Sequence, residues 1–425
     1  VERVDTEAPT RSKRACPNTG RVRGAGLAPG ATRPSDALTA FLAVGVAWLL
    51  AAAAAALLAT ITDEPDLRWL ALHLAFLGGV SQMVVGAAQF FTCAFLATDP
   101  ASRPTVRLEL ALWNSAVVAT AIGVPLEITP LTGLGGALVL AGLAVFVRTL
   151  LRMRKRSLQT APWATRWYLT CAALFAVGAL LGPVMGGDVA WTHGSLLGAH
   201  LALNLGGWFG TAIVGTLHTF YPSLTGTRLH WARLQLPTYL AWTGGIVVLA
   251  ASAAFNLDGG AVAGWALLLA ATVMLAANLL ASARAGTVRS AGALVVSAGQ
   301  LMLVAAVSLG LASAIENGPL TALLGSDREA VAALLVGGWI GLTVSGSLLH
   351  LLTVMARVRR GPGDRSPVRF ESVAVVGAAI AVLGVVLVAF GIEAGRPVAF
   401  AGYALLLARV AGLALEAVRA GRLEL

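Results

Sequence analysis

His73-Leu-Ala-Phe-Leu-Gly78-Gly79-Val80 is echoed twice downstream, as His200-Leu-Ala-Leu-Asn-Leu-Gly206-Gly207-Trp208-Phe-Gly210 and as Val336-Gly337-Gly338-Trp339-Ile-Gly341. The copies stand about 130 residues apart. The second and third also share a continuation, Gly215-Thr216-Leu217-His218 against Gly346-Ser347-Leu348-Leu349-His350. Self-similarity at a fixed period signals duplicated structural units. Four of the six histidines fall on these stretches, so function is expected where the copies meet.

Around them the chain is 57% hydrophobic and 12% charged. Apolar runs of about 18 to 25 residues recur along it, the length a helix needs to cross the hydrocarbon of a bilayer. Twelve such runs can be drawn, at roughly 37–61, 69–97, 108–128, 134–153, 167–185, 195–222, 237–256, 261–282, 290–314, 330–355, 372–391 and 397–417. The expected fold is therefore all-α, a polytopic membrane protein of about 12 transmembrane helices. Divided by the repeat, these form three pseudo-repeats of four, at about 37–153, 167–282 and 290–417, with the Gly-Gly stretch on the second helix of each.

A net charge of +10 could suggest nucleic acid, but its distribution points to topology instead. With the N-terminus placed in the cytoplasm, 26 of the 30 Lys and Arg fall in or beside cytoplasmic segments. Arg68, Arg328 and Arg396 face outward, and Arg409 lies within a span. This is the positive-inside asymmetry over every loop, and it puts both termini in the cytoplasm of a cell that carries the chain in its plasma membrane. Residues 1–36 are polar, rich in Arg, Gly and Pro, and lack the apolar core of a signal peptide, so a disordered basic tail is expected there. A short cytoplasmic tail is expected at 418–425. Cys16, Cys93 and Cys171 show no C-x-x-C spacing, which argues against a disulfide framework or a thiolate zinc site.

Depth follows from helical rise. His73 and His200 begin their helices at matching positions in the first two repeats, so both are expected near the outer surface. His218 follows His200 by 18 residues, or five turns, which puts it on the same face about 27 Å further in. His350 has nearly that inner depth on helix 10. The histidines thus sort into an outer pair, His73 with His200, and an inner pair, His218 with His350. His193 precedes helix 6 in an outer loop and could approach the outer pair.

Ionisable residues inside a bilayer default to a functional reading. Imidazole ligates haem iron and suits copper, so two imidazoles from different helices at one depth could hold a haem b or a copper ion. The plainer alternative is that each hydrogen-bonds a neighbouring carbonyl or hydroxyl. Asn204, one turn after His200, shares its face and could support it. Arg409, midway along helix 12, needs a carboxylate, a carbonyl or a bound anion. Most of the polar residues Gln82, Gln89, Asn114, Glu127 and Gln300 are expected to form interhelical hydrogen bonds, and the glycines to allow close helix packing.

Twelve helices in three quartets, with a histidine at the outer end of helices 2 and 6, resemble the haem-copper oxidase catalytic subunit and, more closely, its divergent NnrS-type relatives. The stretch from His200 to Tyr221-Pro-Ser is similar to the membrane region that precedes cupredoxin domains in actinobacterial proteins of the copper nitrite reductase or multicopper oxidase type. The resemblance covers residues 37–417 in architecture and mainly helix 6 in text. It implies a low-spin haem ligand at His73, a copper ligand at His200, and an extracytoplasmic cupredoxin or nitrite reductase partner.

Departures limit what carries over. Val331 and Ala332 stand where helix 10 of an oxidase would offer histidines. Helix 7, Leu236-Pro-Thr-Tyr-Leu-Ala-Trp-Thr-Gly-Gly, lacks the adjacent histidine pair expected for copper. An oxygen-reducing binuclear centre is therefore not expected, and with no cupredoxin text in the sequence a copper partner would be a separate chain. Two function classes stay open: a haem- or copper-binding redox protein serving electron transfer, nitric oxide or copper handling, and a transporter or channel built from repeats. Histidines clustered near the two surfaces favour the first. No nucleophile-base set or phosphate loop supports a hydrolase or an ATPase.

Overall fold

Proline opens the helices of this chain. Pro34, Pro65, Pro104 and Pro130 occupy first turns, where the missing N–H has no intrahelical partner to lose. The computed structural model describes residues 32–159, 162–187, 189–288, 290–361 and 371–420. Within them twelve long helices follow one another. They are α1 (Pro34–Thr62), α2 (Pro65–Leu96), α3 (Arg103–Gly123), α4 (Thr129–Arg156), α5 (Pro162–Gly186) and α6 (Leu196–Thr225), then α7 (Gln235–Phe255), α8 (Asp258–Ala285), α9 (Ala291–Glu316), α10 (Arg328–Arg360), α11 (Ser372–Ala389) and α12 (Gly395–Arg419). Eleven of them are long and apolar enough to cross a membrane, so the protein is a multi-pass membrane protein whose surroundings are lipid.

The helix outside that set is α3, which carries Arg107, Glu109 and Asn114 in its first half. The apolar window at 108–128 is displaced from it. The chain turns at Pro125, which cannot continue a helix, and Glu127 lies in that turn at φ 54° rather than on α3. Most of the expected tail at 1–36, with Cys16, lies outside the described residues, and α1 already begins at Pro34. The tail expected at 418–425 gives its first residues to α12, and residues 421–425 also lie outside the described set.

All three Gly-Gly stretches leave the α-helical pattern. Leu74–Val80 in α2, Ala202–Gly210 in α6 and Ala333–Gly341 in α10 are π-helical. The Ser81 N–H bonds Phe76 C=O and the Thr211 N–H bonds Gly206 C=O, each five residues back. Such wide turns inside α-helices often mark functional sites. The glycines seat neighbouring side chains. A Cβ on Gly207 would lie 2.9 Å from Leu174 of α5, and one on Gly338 would lie 2.6 Å from Met302 of α9.

The helices form a closed ring of neighbours. α1 packs on α2, α3 on α4, α5 on α6, α7 on α8, α9 on α10 and α11 on α12, while α4 meets α5, α8 meets α9 and α12 returns to α1. Inside the ring α2, α6 and α10 converge. Phe76 and Phe209 lie 4.9 Å apart, Trp208 Nε1–H donates to Ser81 Oγ at 3.0 Å, and Trp339 of α10 comes so close to Gly210 of α6 that a Cβ there would lie 3.1 Å from its ring. Beyond the π-helical segments these helices enclose a mainly apolar cavity of about 90 Å³, whose wall includes the hydroxyl residues Tyr168, Thr216, Thr343 and Ser347.

Candidate functional site

His73 and His200 stand immediately before the π-helical segments of their helices, one and two residues ahead of Leu74 and Ala202. The His73 ring stacks on Trp69, one turn back, with centroids 3.9 Å apart. Its Nδ1 lies 2.9 Å from Trp69 C=O, and His200 Nδ1 lies 2.9 Å from Gly178 C=O of α5. A carbonyl can only accept, so Nδ1 carries the proton in both rings and Nε2 keeps its lone pair. Metal-ligating imidazoles are commonly held this way, with the remote N–H on a backbone carbonyl fixing tautomer and orientation. Both imidazoles are half-buried.

Asn204 joins this arrangement. Its Nδ2 donates to His200 C=O at 2.8 Å and approaches the same Gly178 C=O at 3.5 Å. Its Oδ1 is buried and has no partner among the described residues. Gly178 has to be glycine here, since a Cβ would lie 2.7 Å from that Oδ1. The one-turn spacing in the sequence thus places Asn204 beside the histidine it was expected to support.

His193 is not drawn to this pair. It is exposed and meets the edge of Trp191, whose Nε1–H donates to Ala254 C=O at 2.7 Å, so the loop is fastened to the end of α7.

The inner histidines, His218 and His350, have different immediate neighbours. His218, 1% exposed, donates from Nδ1 to Val214 C=O at 2.8 Å and stacks on Trp167 of α5, with Nε2 buried and unpartnered among the described residues. His200 and His218 therefore both turn to α5, on one face of α6. His350 packs beside Gly292 of α9 and presents its ring to the edge of Phe220. Phe220 lies two residues after His218, so the His350 ring meets the helix that carries His218, while the His218 ring lies against α5.

Arg409 has found a carboxylate. Its Nε and Nη2 donate to the two oxygens of Glu371 at 2.6 and 2.7 Å, and Glu416 lies 3.5 Å away. This fork holds the Glu371 carboxyl below the usual carboxylate range. Arg409 is committed to that pair and lends nothing to the outer histidines.

Among the described residues no three His, Cys, Asp or Glu side chains gather as a metal cluster, so a metal at the outer site would rest on two imidazoles. A haem would also need a slot for its macrocycle. Neither the cavity of about 90 Å³ nor the one beside Gln89 and Cys93 has a histidine in its wall. The donor set fits a single small ion better than a haem.

One buried acid escaped the sequence reading. Glu109 belongs to the inward stripe Val106, Glu109, Trp113 and Ala116 of α3, an i, i+3, i+7 pattern whose first member lies ahead of the apolar window at 108–128. It accepts a hydrogen bond from Gln89 Nε2 at 2.7 Å. Comparison with protein-family models and with characterised proteins finds no match to this chain.

Proposed function

We propose that the protein is a metal-binding membrane protein of the redox class, related to the haem-copper oxidase and NnrS-type fold, in which His73 and His200 together hold one copper ion. The observation that carries this reading is the matched pair of imidazoles, each with Nδ1–H on a backbone carbonyl and Nε2 left as a donor. Copper would supply one-electron chemistry there; the chain itself fixes ring orientation through Trp69, Gly178 and Asn204. Haem b at the same imidazoles is the weaker form of the reading, because neither of those cavities reaches them.

The proposal includes the architecture: twelve spans in three quartets, both termini cytoplasmic, in the cell membrane. Recurrence of the π-helical segment on the second helix of each quartet supports it, as does the recurrence of neighbour pairs every four helices. A cupredoxin or nitrite reductase outside the membrane is the partner this reading favours, since the histidines then lie at the outer surface. The chain's electrons, nitric oxide or copper would pass at that face.

Copper titration of the purified, reduced protein under anaerobic conditions, read by metal analysis and optical spectroscopy, tests the reading. One copper per chain is expected, lost in the double variant His73→Ala/His200→Ala and weakened roughly 10-fold or more in Asn204→Ala. Stoichiometric copper that persists in the double variant moves the site away from the outer pair. A folded protein that takes up neither copper nor haem favours the second reading, a transporter or channel, for which the cavity between α2, α6 and α10 is the supporting observation.

A further inference from the structure

Glu109 is completely buried, at 0% exposure, about 9 Å into α3 from Arg103. Its partners are an amide, Gln89 Nε2 at 2.7 Å from Oε2, and a hydroxyl, Thr149 Oγ1 at 3.3 Å from Oε1. That hydroxyl also lies 2.9 Å from Val145 C=O, one turn back on α4. Thr149 has one hydroxyl proton, and the carbonyl, which only accepts, holds the shorter contact. With the proton directed to Val145, Thr149 offers Glu109 a lone pair, and the contact with Oε1 is then a hydrogen bond only if the carboxyl carries a proton.

Among the described residues no cation forms an ion pair with Glu109. On α4, Arg148 and Arg152 are exposed; on α3, Arg107 is exposed and Arg103 half-exposed. Helix α2 contributes only Cys93, whose thiol donates to Thr98 C=O, and on α1 the buried Asp36 pairs with Arg359 of α10. A buried charge without a cation is strongly disfavoured, and the group takes up a proton instead.

Unpartnered polar atoms continue from this acid into the bundle. Trp113, one turn after Glu109, lies along Gly142 of α4, and its buried Nε1 has no partner among the described residues. Gln82 precedes Gln89 by seven residues, two turns, and so shares its face of α2. Gln82 is also at 0% exposure, and both its amide atoms lack a partner among the described residues. Buried groups of this kind are ordinarily satisfied by ordered water. In the other direction a cavity of about 10 Å³, space for about one water, lies between Gln89, Cys93 and Met153 and the end of the bundle at Pro34 and Pro100.

We propose that Glu109 is an intramembrane proton-binding site, exchanging its proton through a hydrated column that runs from the Pro34 and Pro100 end past Gln89 and on to Trp113 and Gln82. The step is a protonation alone. A proton from solvent bonds to a carboxylate oxygen of Glu109 and leaves from it along the column, with no other bond changed and no redox partner required. The inference does not depend on a metal at His73 and His200.

Infrared spectroscopy of the full chain in phosphatidylcholine vesicles tests it. A carbonyl-stretch band of a protonated carboxylic acid is expected at neutral pH, lost in Glu109→Gln and moved in frequency in Glu109→Asp. Transfer to deuterated buffer should shift the band promptly, and Ala101→Phe, which fills the small cavity at the Pro34 and Pro100 end, should keep the band while slowing that shift at least 10-fold. Absence of the band at neutral pH, or its persistence in both Glu109 variants, overturns the proton site. A deuterium shift equally fast in Ala101→Phe overturns the column. If Glu109→Gln does not fold, the frequency in Glu109→Asp decides the assignment.

Discussion

Arg409 and Glu371 lie 38 residues apart on different helices, and no local spacing in the sequence joins them. The need for a counter-group was legible from a guanidinium inside a span; its identity was not, because only the packing of α11 on α12 brings the two together. The pair has a pH signature. Arg409 holds the Glu371 carboxyl below its ordinary range, so the stabilisation is fully present above about pH 4.3, the unfolded value, and is lost as pH falls through the lower folded value. At pH 7, Glu371→Gln should lower stability by about 0.5–1 kcal/mol, given that both side chains are partly exposed. Thermal melts of the two proteins should converge on strong acidification; a gap that stays constant with pH would assign the effect to packing instead. The histidines were legible because they recur with the repeat. Glu109 was less legible: it lies at the start of the 108–128 window, and the stripe that buries it begins at Val106, ahead of that window.

Among the elements, the repeated stretches were visible as text but not as π-helices. Gly-Gly-Trp reads equally well as an ordinary small-residue packing surface, and the wider hydrogen-bond pattern depends on what the neighbouring helices press against it. Gly210, the last residue of the segment in α6, makes the point. A Cβ there would lie 2.7 Å from the Trp242 ring and 3.1 Å from Trp339, two fully packed indoles from α7 and α10. Gly210→Ala should therefore destabilise by about 1–3 kcal/mol, the range for overpacking a tight interior. Gly244, on α7, has open space where its Cβ would go, so Gly244→Ala should be neutral or stabilise by up to about 1 kcal/mol through helix propensity. Unfolding in detergent, compared for the two variants, separates them. Equal effects would mean that neither close packing nor propensity controls these helices.

For the molecule as a whole, helix number was legible from hydropathy, while the path of the third helix depends on its charges. Arg103, Arg107 and Glu109 lower the apolar character of α3, yet α3 packs along α4 as α7 packs along α8 and α11 along α12. If α3 did not cross, the loop at Glu127 would share a side with Ser102, and every later loop would exchange sides, reversing the arginine asymmetry from α4 onward. A protonated Glu109, as proposed above, would lower the cost of crossing, because a neutral carboxyl costs far less to place in lipid than a charged one. Single cysteines at Glu64, Ser102, Glu127, Arg154 and Asn317, introduced with Cys16, Cys93 and Cys171 replaced, provide the test in intact cells. A membrane-impermeant maleimide should label positions 64, 127 and 317 from outside, and positions 102 and 154 only after permeabilisation. Labelling at 127 that also requires permeabilisation would leave α3 inside, reduce the spans to the eleven apolar helices, and move Glu109 from the membrane interior to its edge.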